Sequence, residues 1–313
     1  MTSKKPTNIA ASIRSRLLNL SKERGEDYNY LLTLYAGERL LYRLSQSPYQ
    51  QQFILKGATL FKVWNGEPHR ATRDLDFLSF GNNEVEHIEK VFQEICLIEC
   101  EEDGIIFVPE SIKAQVIKED HQYEGVRVKI IGKLNNIPRP LQVDIGFGDV
   151  VTPDAKEEIV NTILNVPKPI LKIYPRETVI AEKFQAMVDL GIKNSRMKDF
   201  YDIWFLCKDF EFQGDLLCEA ITKTFTRRKT DIPVKEPLAL TQEFTNDPNK
   251  QNQWTAFLNN LNKHKTKKVN PQLTFDEVVT VIKSFIMPPC IASAKNESFD
   301  KVWNVGGFWQ DIE

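Results

Sequence analysis

Two stretches of this sequence alternate apolar and polar side chains, and each carries aspartate on its polar side. In residues 74–80, Asp74 and Asp76 alternate with leucine and phenylalanine, and in residues 141–147 Asp144 lies between valine and isoleucine. Alternation with a period of two predicts β-strands that bury one face and leave the other polar. The aspartates would therefore project from the polar face of a sheet whose opposite face is covered.

The rest of the chain divides into helix-rich and strand-rich parts. Helical spacing of apolar residues predicts helices at both ends of the chain, and short apolar runs predict strands in its middle. The predicted helices span residues 8–24, 28–44, 58–64, 84–98, 177–190 and 195–207, and the further strands span 53–55, 105–108, 112–117 and 126–131. We expect an N-terminal helical region (1–50), a core (51–212) and a C-terminal helical region with polar linkers (213–313).

Composition excludes several classes of protein. With 313 residues, 42% of them hydrophobic, and a formal net charge of −2, the chain can bury a core and is not a uniformly basic nucleic-acid coat. No apolar run reaches the ~18 residues of a membrane span, because the best one, Val278–Met287, contains Lys283 and is expected to stop at Pro288–Pro289. No signal peptide is visible. Five cysteines and four scattered histidines show no metal-type spacing, so we expect a reduced, cytoplasmic protein whose metal ligands, if any, are oxygens.

Charge is segregated along the chain. Residues 84–103 hold eight acidic residues and one lysine, a pattern typical of a solvated face. Residues 218–270 hold ten lysines and arginines against five acidic residues, including Arg227–Lys229 and the run Lys263–Lys268. This basic segment could contact the phosphates of a nucleic acid, or it could be a solvated linker.

The aspartates favour metal chemistry. Residues i and i+2 of a strand point the same way, so Asp74 and Asp76 would lie side by side and repel each other unless a cation lies between them. If the strand carrying Asp144 is a neighbour, three carboxylates converge, which is the arrangement that holds divalent ions around a phosphoryl or nucleotidyl displacement. Alternatively, the Asp-x-Asp pair is a solvated strand end, and Asp144 caps a backbone group in the turn 146–148.

A glycine turn precedes the Asp-x-Asp strand. Lys56 and Gly57 lie between an apolar strand and a predicted helix, where glycine would let backbone amides approach a phosphate closely, and Thr59 could add a hydroxyl. The spacing matches neither a P-loop nor a dinucleotide-binding motif. An ordinary strand-to-helix turn is the alternative.

Two later helices carry charges at the border of apolar surface. Lys183 lies at the edge of an apolar stripe, from which it could reach a triphosphate or extend to solvent. The helix 195–207 is apolar around most of its circumference, and its narrow polar arc holds Lys198, Asp199 and Asp202. Charges there need partners, and Arg196 is spaced to pair with Asp199.

Four separated motifs resemble the AbiEii/AbiGii toxin family of nucleotidyltransferases. They are LKGATLFKVW, HRATRDLDFL, LQVDIGFGD and ETVIAEKFQAMVDLGIKNSRMKDFYDIW, in the family's order, within a resemblance that covers about residues 8–206. The resemblance implies an α+β fold with a polymerase-β-like nucleotidyltransferase core, in which a mixed sheet has flanking helices, plus N-terminal and C-terminal helical regions. By position, Gly57, Asp74 and Asp76 match the first family motif, Asp144 the second, Lys183 the third, and Arg196, Lys198 and Asp199 the fourth.

The resemblance also implies roles and partners. Asp74, Asp76 and Asp144 would be metal ligands and catalytic residues for Mg²⁺ or Mn²⁺, with Lys183 and Asp199 also catalytic. The nucleoside triphosphate would be bound by Lys56, Gly57, Thr59, Lys183, Arg196 and Lys198. Members are typically the toxin of a two-gene toxin–antitoxin or phage-defence system, and some relatives add nucleotides to the 3′ end of tRNA. We therefore expect a triphosphate substrate, an RNA acceptor such as tRNA, a cognate antitoxin and no membrane. Ala58 departs from the wider pattern, where serine often follows the glycine.

Two other functions use the same residues. A metal-dependent phosphodiesterase or nuclease would keep the ions but leave Lys183 and the Gly57 turn without a role. A non-catalytic nucleotide-binding regulator would bind the triphosphate and form no product.

Overall fold

The computed structural model describes residues 8–66, 70, 72, 74–119, 123–263 and 273–312. The chain divides into two compact units. The first contains residues up to 148 together with 156–173, and the second contains 149–155 and the chain from 174 onward, apart from 264–266. These bounds differ from the three regions expected from the sequence, because the N-terminal helices belong to the same unit as the sheet.

A seven-stranded mixed sheet forms the centre of the first unit. Its strand order is β3-β4-β5-β2-β1-β7-β6, with the pairs β2–β5 and β1–β7 parallel and the others antiparallel. The strands are β1 (Phe53–Lys56), β2 (Leu75–Ser79), β3 (Ile105–Glu119), β4 (Tyr123–Leu134), β5 (Ile137–Phe147), β6 (Lys156–Ile159) and β7 (Ile170–Ile173). The two strands predicted at 105–108 and 112–117 are one strand, β3, whose register shifts between Val108 and Lys113.

Among the described residues of this unit, the α-helices are α1 (Ile9–Arg24), α2 (Tyr28–Ser45), α3 (Thr59–Asn65) and α4 (Val85–Cys96). Helix α2 packs against β5 and β7, and α4 packs against β3 and β4. Most acidic side chains of the stretch 84–103 are exposed as expected, but Asp103 is fully buried and accepts hydrogen bonds of 2.7 and 3.3 Å from Arg43. A buried carboxylate needs such a partner, so this residue is structural.

The second unit consists mainly of helices. They are α5 (Arg176–Leu190), α6 (Met197–Asp209), α7 (Gly214–Arg227), α8 (Gln242–Thr245), α9 (Pro248–Lys263) and α10 (Phe275–Lys295). A three-stranded sheet, order β10-β9-β8, joins them: β8 (Phe212–Gln213), β9 (Lys301–Asn304) and β10 (Phe308–Asp311). The sequence predicted only helices here. These strands are two to four residues long, too short to show an alternating pattern.

Helix α10 runs through Pro288 and Pro289, where the sequence predicted its end. Proline cannot donate to the carbonyl four residues earlier, and for Pro289 that carbonyl belongs to Phe285. The indole of Trp309 donates to it instead, at 2.9 Å. Within the described residues, α10 is the one helix long and apolar enough to cross a membrane, and 56% of its most apolar window is buried inside the protein, as in a core helix.

Candidate active site

The aspartate-bearing strands are neighbours, which is the condition under which the sequence analysis brings their carboxylates together. Strands β2 and β5 pair in parallel with Asp76 opposite Asp144, so both side chains lie on the same face of the sheet. Leu75 and Phe77 are buried on the other face. Asp144 is 9% exposed, Asp76 is half-buried, and Asp74, just before β2, is exposed.

The glycine turn lies directly against this face. Lys56, the last residue of β1, pairs with Asp76, and Gly57 follows with φ +75°, a conformation that side chains other than glycine rarely adopt. A Cβ atom on Gly57 would lie 2.7 Å from Cγ and 2.8 Å from Cβ of Asp76. Glycine is therefore required for the close approach of Asp76 to the turn.

The neighbours of that turn are mostly enclosed. Lys56 and Thr59 are buried, at 9% and 8% exposure, and Ala58 precedes α3 without a side-chain cap. The expectation that Lys56, Gly57 and Thr59 bind the triphosphate stays a prediction.

Arg127 on β4 completes the carboxylate face, and the sequence analysis missed it. Its Nε and Nη2 atoms donate to the two carboxylate oxygens of Asp144 at 2.8 and 2.7 Å, and Gln142 also donates to Asp144, at 3.2 Å. These hydrogen bonds raise the pKa of Arg127 above its ordinary value, with further contributions from the charges of Asp74 and Asp76. Asp144 is thus an ion-pair partner rather than a cap of the turn 146–148.

The donor chemistry of this face fits a hard divalent cation in part. Asp74 and Asp76 supply the one or two carboxylates with which Mg²⁺ is usually held beside substrate phosphates. Both oxygens of Asp144 are engaged by Arg127. Across the described part of the chain, no three carboxylate, thiol or imidazole groups form a ready-made metal cluster. Asp74 and Asp76 therefore have the chemistry for such an ion, whereas Asp144 is held by Arg127.

A second cluster of predicted site residues lies in the second unit. Lys183 on α5 donates to Asp199 at 2.6 Å and pairs with Asp202 at 2.9 Å, and Arg196 donates to Asp199 at 2.5 Å. Both aspartates are buried, whereas Arg196 is about one-third exposed. The predicted Arg196–Asp199 pair is present.

Charge balance keeps Asp199 ionised in this cluster. Burial alone would raise the pKa of Asp199, but the positive charges of Lys183 and Arg196 outweigh it and hold the pKa below its ordinary value. Lys198 does not share this environment with Asp199 and Asp202, because it lies on the exposed side of α6.

Part of the predicted basic segment is structural. Arg228 is mostly enclosed, with 11% of its side chain exposed, and pairs with Asp149 at 3.0 Å. The ammonium of buried Lys250 donates to the carbonyl of Asn194 at 2.8 Å. These two cations hold the second unit together and are not surface contacts for a nucleic acid. Residues 264–268 and the side chain of Lys263 lie outside the described residues.

Fold and site together define the class: an α+β protein whose mixed sheet carries aspartates on adjacent parallel strands beside a glycine turn. The family described as "Nucleotidyl transferase AbiEii toxin, Type IV TA system" matches residues 39–281, well over half of the chain and all of the predicted site residues. The chain therefore belongs to the AbiEii family and is a nucleotidyltransferase toxin.

Solved structures that are similar to this chain include two from Helicobacter pylori. The crystal structure of JHP933 from Helicobacter pylori is 18% identical, with a TM-score of 0.42 over 85% of this chain and 92% of that one. A protein from H. pylori described as a candidate nucleotidyltransferase is 19% identical, with a TM-score of 0.40 over 82% of this chain and 92% of that one. Likeness at this level does not define the chemistry of the chain. A search of the curated proteins gave no match.

Proposed function

We propose that this nucleotidyltransferase transfers a nucleotide from a nucleoside triphosphate to an RNA acceptor in a reaction that depends on Mg²⁺ or Mn²⁺. The observation that carries the proposal is the carboxylate face. Asp76 and Asp144 lie opposite each other on adjacent parallel strands, and Gly57 packs against Asp76. Carboxylates this close repel each other, and a divalent cation beside them would relieve that repulsion.

Asp74 and Asp76 are the proposed cation ligands. Both are more accessible than Asp144, and their strand is anchored by the buried Leu75 and Phe77. A bound divalent cation would supply charge neutralisation for the triphosphate. The protein would position the ligands. Strand β2 fixes Asp74 and Asp76, and the missing side chain of Gly57 leaves room for the carboxylate of Asp76.

Lys183 and Arg196 are the proposed partners of the triphosphate. Each already pairs with a buried carboxylate, so its position is set before a ligand arrives. Such pre-organised cations stabilise negative charge without first having to reorganise. Arg196, the more exposed of the two, has the freer access to a phosphate. Asp199 would act by holding both cations in place.

The acceptor and the biological context extend the proposal. The basic segment 218–270, without the structural Arg228 and Lys250, offers phosphate contacts to RNA, and the tRNA 3′ end is the acceptor we expect. A cognate antitoxin fits a family of type IV toxin–antitoxin systems. A cytoplasmic location fits a chain that acts on RNA.

The test is an incubation of the purified chain with radiolabelled triphosphates, Mg²⁺ and total RNA. Labelled RNA is the expected product. Shortened, unlabelled RNA would indicate a nuclease, and triphosphate binding with no product would indicate a regulator. Asp76→Asn should abolish labelling because it keeps the shape and removes the charge. Glu110→Gln is the matched control, since Glu110 is an exposed carboxylate of the same sheet.

A further inference from the structure

Charged residues on four neighbouring strands form a row across the sheet. Register places Arg127 on β4 opposite Asp144 on β5, and Asp144 opposite Asp76 on β2. Lys56 on β1 lies opposite Asp76 in turn. Neighbouring strands lie about 5 Å apart, so the row runs positive, negative, negative, positive on one face. Asp144 is therefore the shared neighbour of a fixed cation and of the carboxylate proposed to bind the metal.

The contact between Arg127 and Asp144 joins one edge of the guanidinium to both oxygens of the carboxylate. Two parallel hydrogen bonds, 2.8 and 2.7 Å long, engage both oxygens of Asp144. Such fork-shaped pairing fixes orientation as well as charge. Gln142 adds a third donor to one of those oxygens. Asp144 is thus oriented toward β4, where Arg127 already supplies its positive partner.

We propose that Arg127 is a positioning residue that holds Asp144 as a counter-ion. Asp144 then joins the cation site proposed for Asp74 and Asp76 only when Arg127 releases it. This inference rests on the proposed function. On this account, Asp144 exchanges one cationic partner, Arg127, for another, the bound divalent cation.

The exposure of the pair makes this exchange feasible. The Arg127 side chain is 33% exposed, so its guanidinium can move into water without being stranded in a buried site. An ion pair with one partner at such a position is weaker than one in which both partners are buried, because water competes for the guanidinium. A divalent cation near Asp74 and Asp76 would repel the guanidinium and attract Asp144.

The experiment measures Mn²⁺ affinity of the full-length free protein by calorimetry or electron paramagnetic resonance, with no nucleotide present. Arg127→Gln removes the internal cation and frees Asp144, so affinity should rise about tenfold, the effect of ~1.4 kcal/mol. Arg127→Lys keeps the charge but loses the fork, and affinity should rise by a smaller factor of about three.

Lys129→Gln is the matched control for net charge. Lys129 lies two residues along the same strand, on the same face, and is exposed. If long-range charge alone sets the affinity, Lys129→Gln will raise it as much as Arg127→Gln does. If release of Asp144 is the cause, the control should change the affinity by less than about twofold, since an exposed charge at this range is screened.

The double variant Arg127→Gln/Asp144→Asn completes the test. Its Mn²⁺ affinity should fall well below that of Arg127→Gln, because the gain depends on the freed carboxylate. Unchanged or weaker binding by both Arg127 variants would overturn the inference while leaving the metal site intact. Absence of Mn²⁺ binding by the wild type and by Arg127→Gln would overturn both the inference and the proposed metal site. Circular dichroism shows whether each variant is folded. If Arg127→Gln does not fold, the Mn²⁺ affinity of Arg127→Lys decides whether the inference holds.

Discussion

Replacing Gly57 with alanine tests the carboxylate face by a change of shape alone. The substitution adds one methyl group, removes no charge and touches no proposed ligand directly. Gly57 has φ +75°, and the new Cβ would overlap the carboxylate of Asp76. Asp76 would have to move, so the substitution should displace a proposed metal ligand.

A second glycine supplies the matched control. Gly66, at the end of α3, has φ +78° and no heavy atom within 4 Å of the Cβ it would acquire. Gly66→Ala therefore pays only the left-handed backbone penalty, about 1–2 kcal/mol. Gly57→Ala pays the same penalty plus the cost of an overpacked contact, about 1–3 kcal/mol. The expected difference in the free energy of unfolding is therefore about 1–3 kcal/mol.

The assays are chemical denaturation and nucleotide incorporation on the two alanine variants. Gly57→Ala should be the less stable variant and should lose most of its activity, whereas Gly66→Ala should keep activity near the wild-type level. Gly57→Ala/Asp76→Gly, which removes the overlapping side chain, should recover the extra stability but not the activity. Equal losses of stability and equal activities in the two single variants would refute the reasoning.

The remaining predictions concern the second unit. Lys183→Ala should weaken triphosphate binding in a fluorescence titration and leave RNA affinity unchanged. It should also lower the free energy of unfolding by ~3 kcal/mol, because buried Asp199 and Asp202 lose a partner. The pKa of Asp199 is held low in the folded protein, so its contribution to stability is present above pH ~4 and is lost as pH falls through the folded value; the gap in unfolding free energy between wild type and Asp199→Asn should shrink over that range, and a constant gap would contradict this. If the basic segment binds RNA, each lost phosphate contact should flatten the salt dependence of RNA affinity by about one unit of slope. The variant replaces four lysines with glutamine: Lys263, Lys265, Lys267 and Lys268. Parallel plots of log affinity against log salt for wild type and this variant would show that these lysines do not bind RNA phosphates.

The strands that carry the aspartates were predictable because their patterns are local. Alternation identified β2 and β5 and the faces that they bury, whereas their adjacency is known only from the register of Asp76 with Asp144. The helices that end at local signals were also predictable, for example α1, which ends just before Gly25. In each case, a few neighbouring residues contain the information.

Features that depend on distant parts of the chain were not predictable in the same way. Arg127 looks like an ordinary solvent-facing residue of a strand, and only the register between β4 and β5 brings it to Asp144. Pro288 and Pro289 predict a helix end, but burial of α10 and the indole of Trp309 compensate for the lost donor. Arg228 belongs to a basic run in the sequence and to a mostly enclosed ion pair in the fold.

The central claim is nucleotidyl transfer through the carboxylate face, and the position of the label in the triphosphate tests it most directly. The full-length chain is incubated with RNA and Mg²⁺ and with a triphosphate labelled at either the α- or the γ-phosphate. The account predicts that the α-label enters RNA, that the γ-label leaves as pyrophosphate, and that Asp76→Asn does neither. Transfer of the γ-label to RNA, or undiminished α-label incorporation by Asp76→Asn, would contradict it.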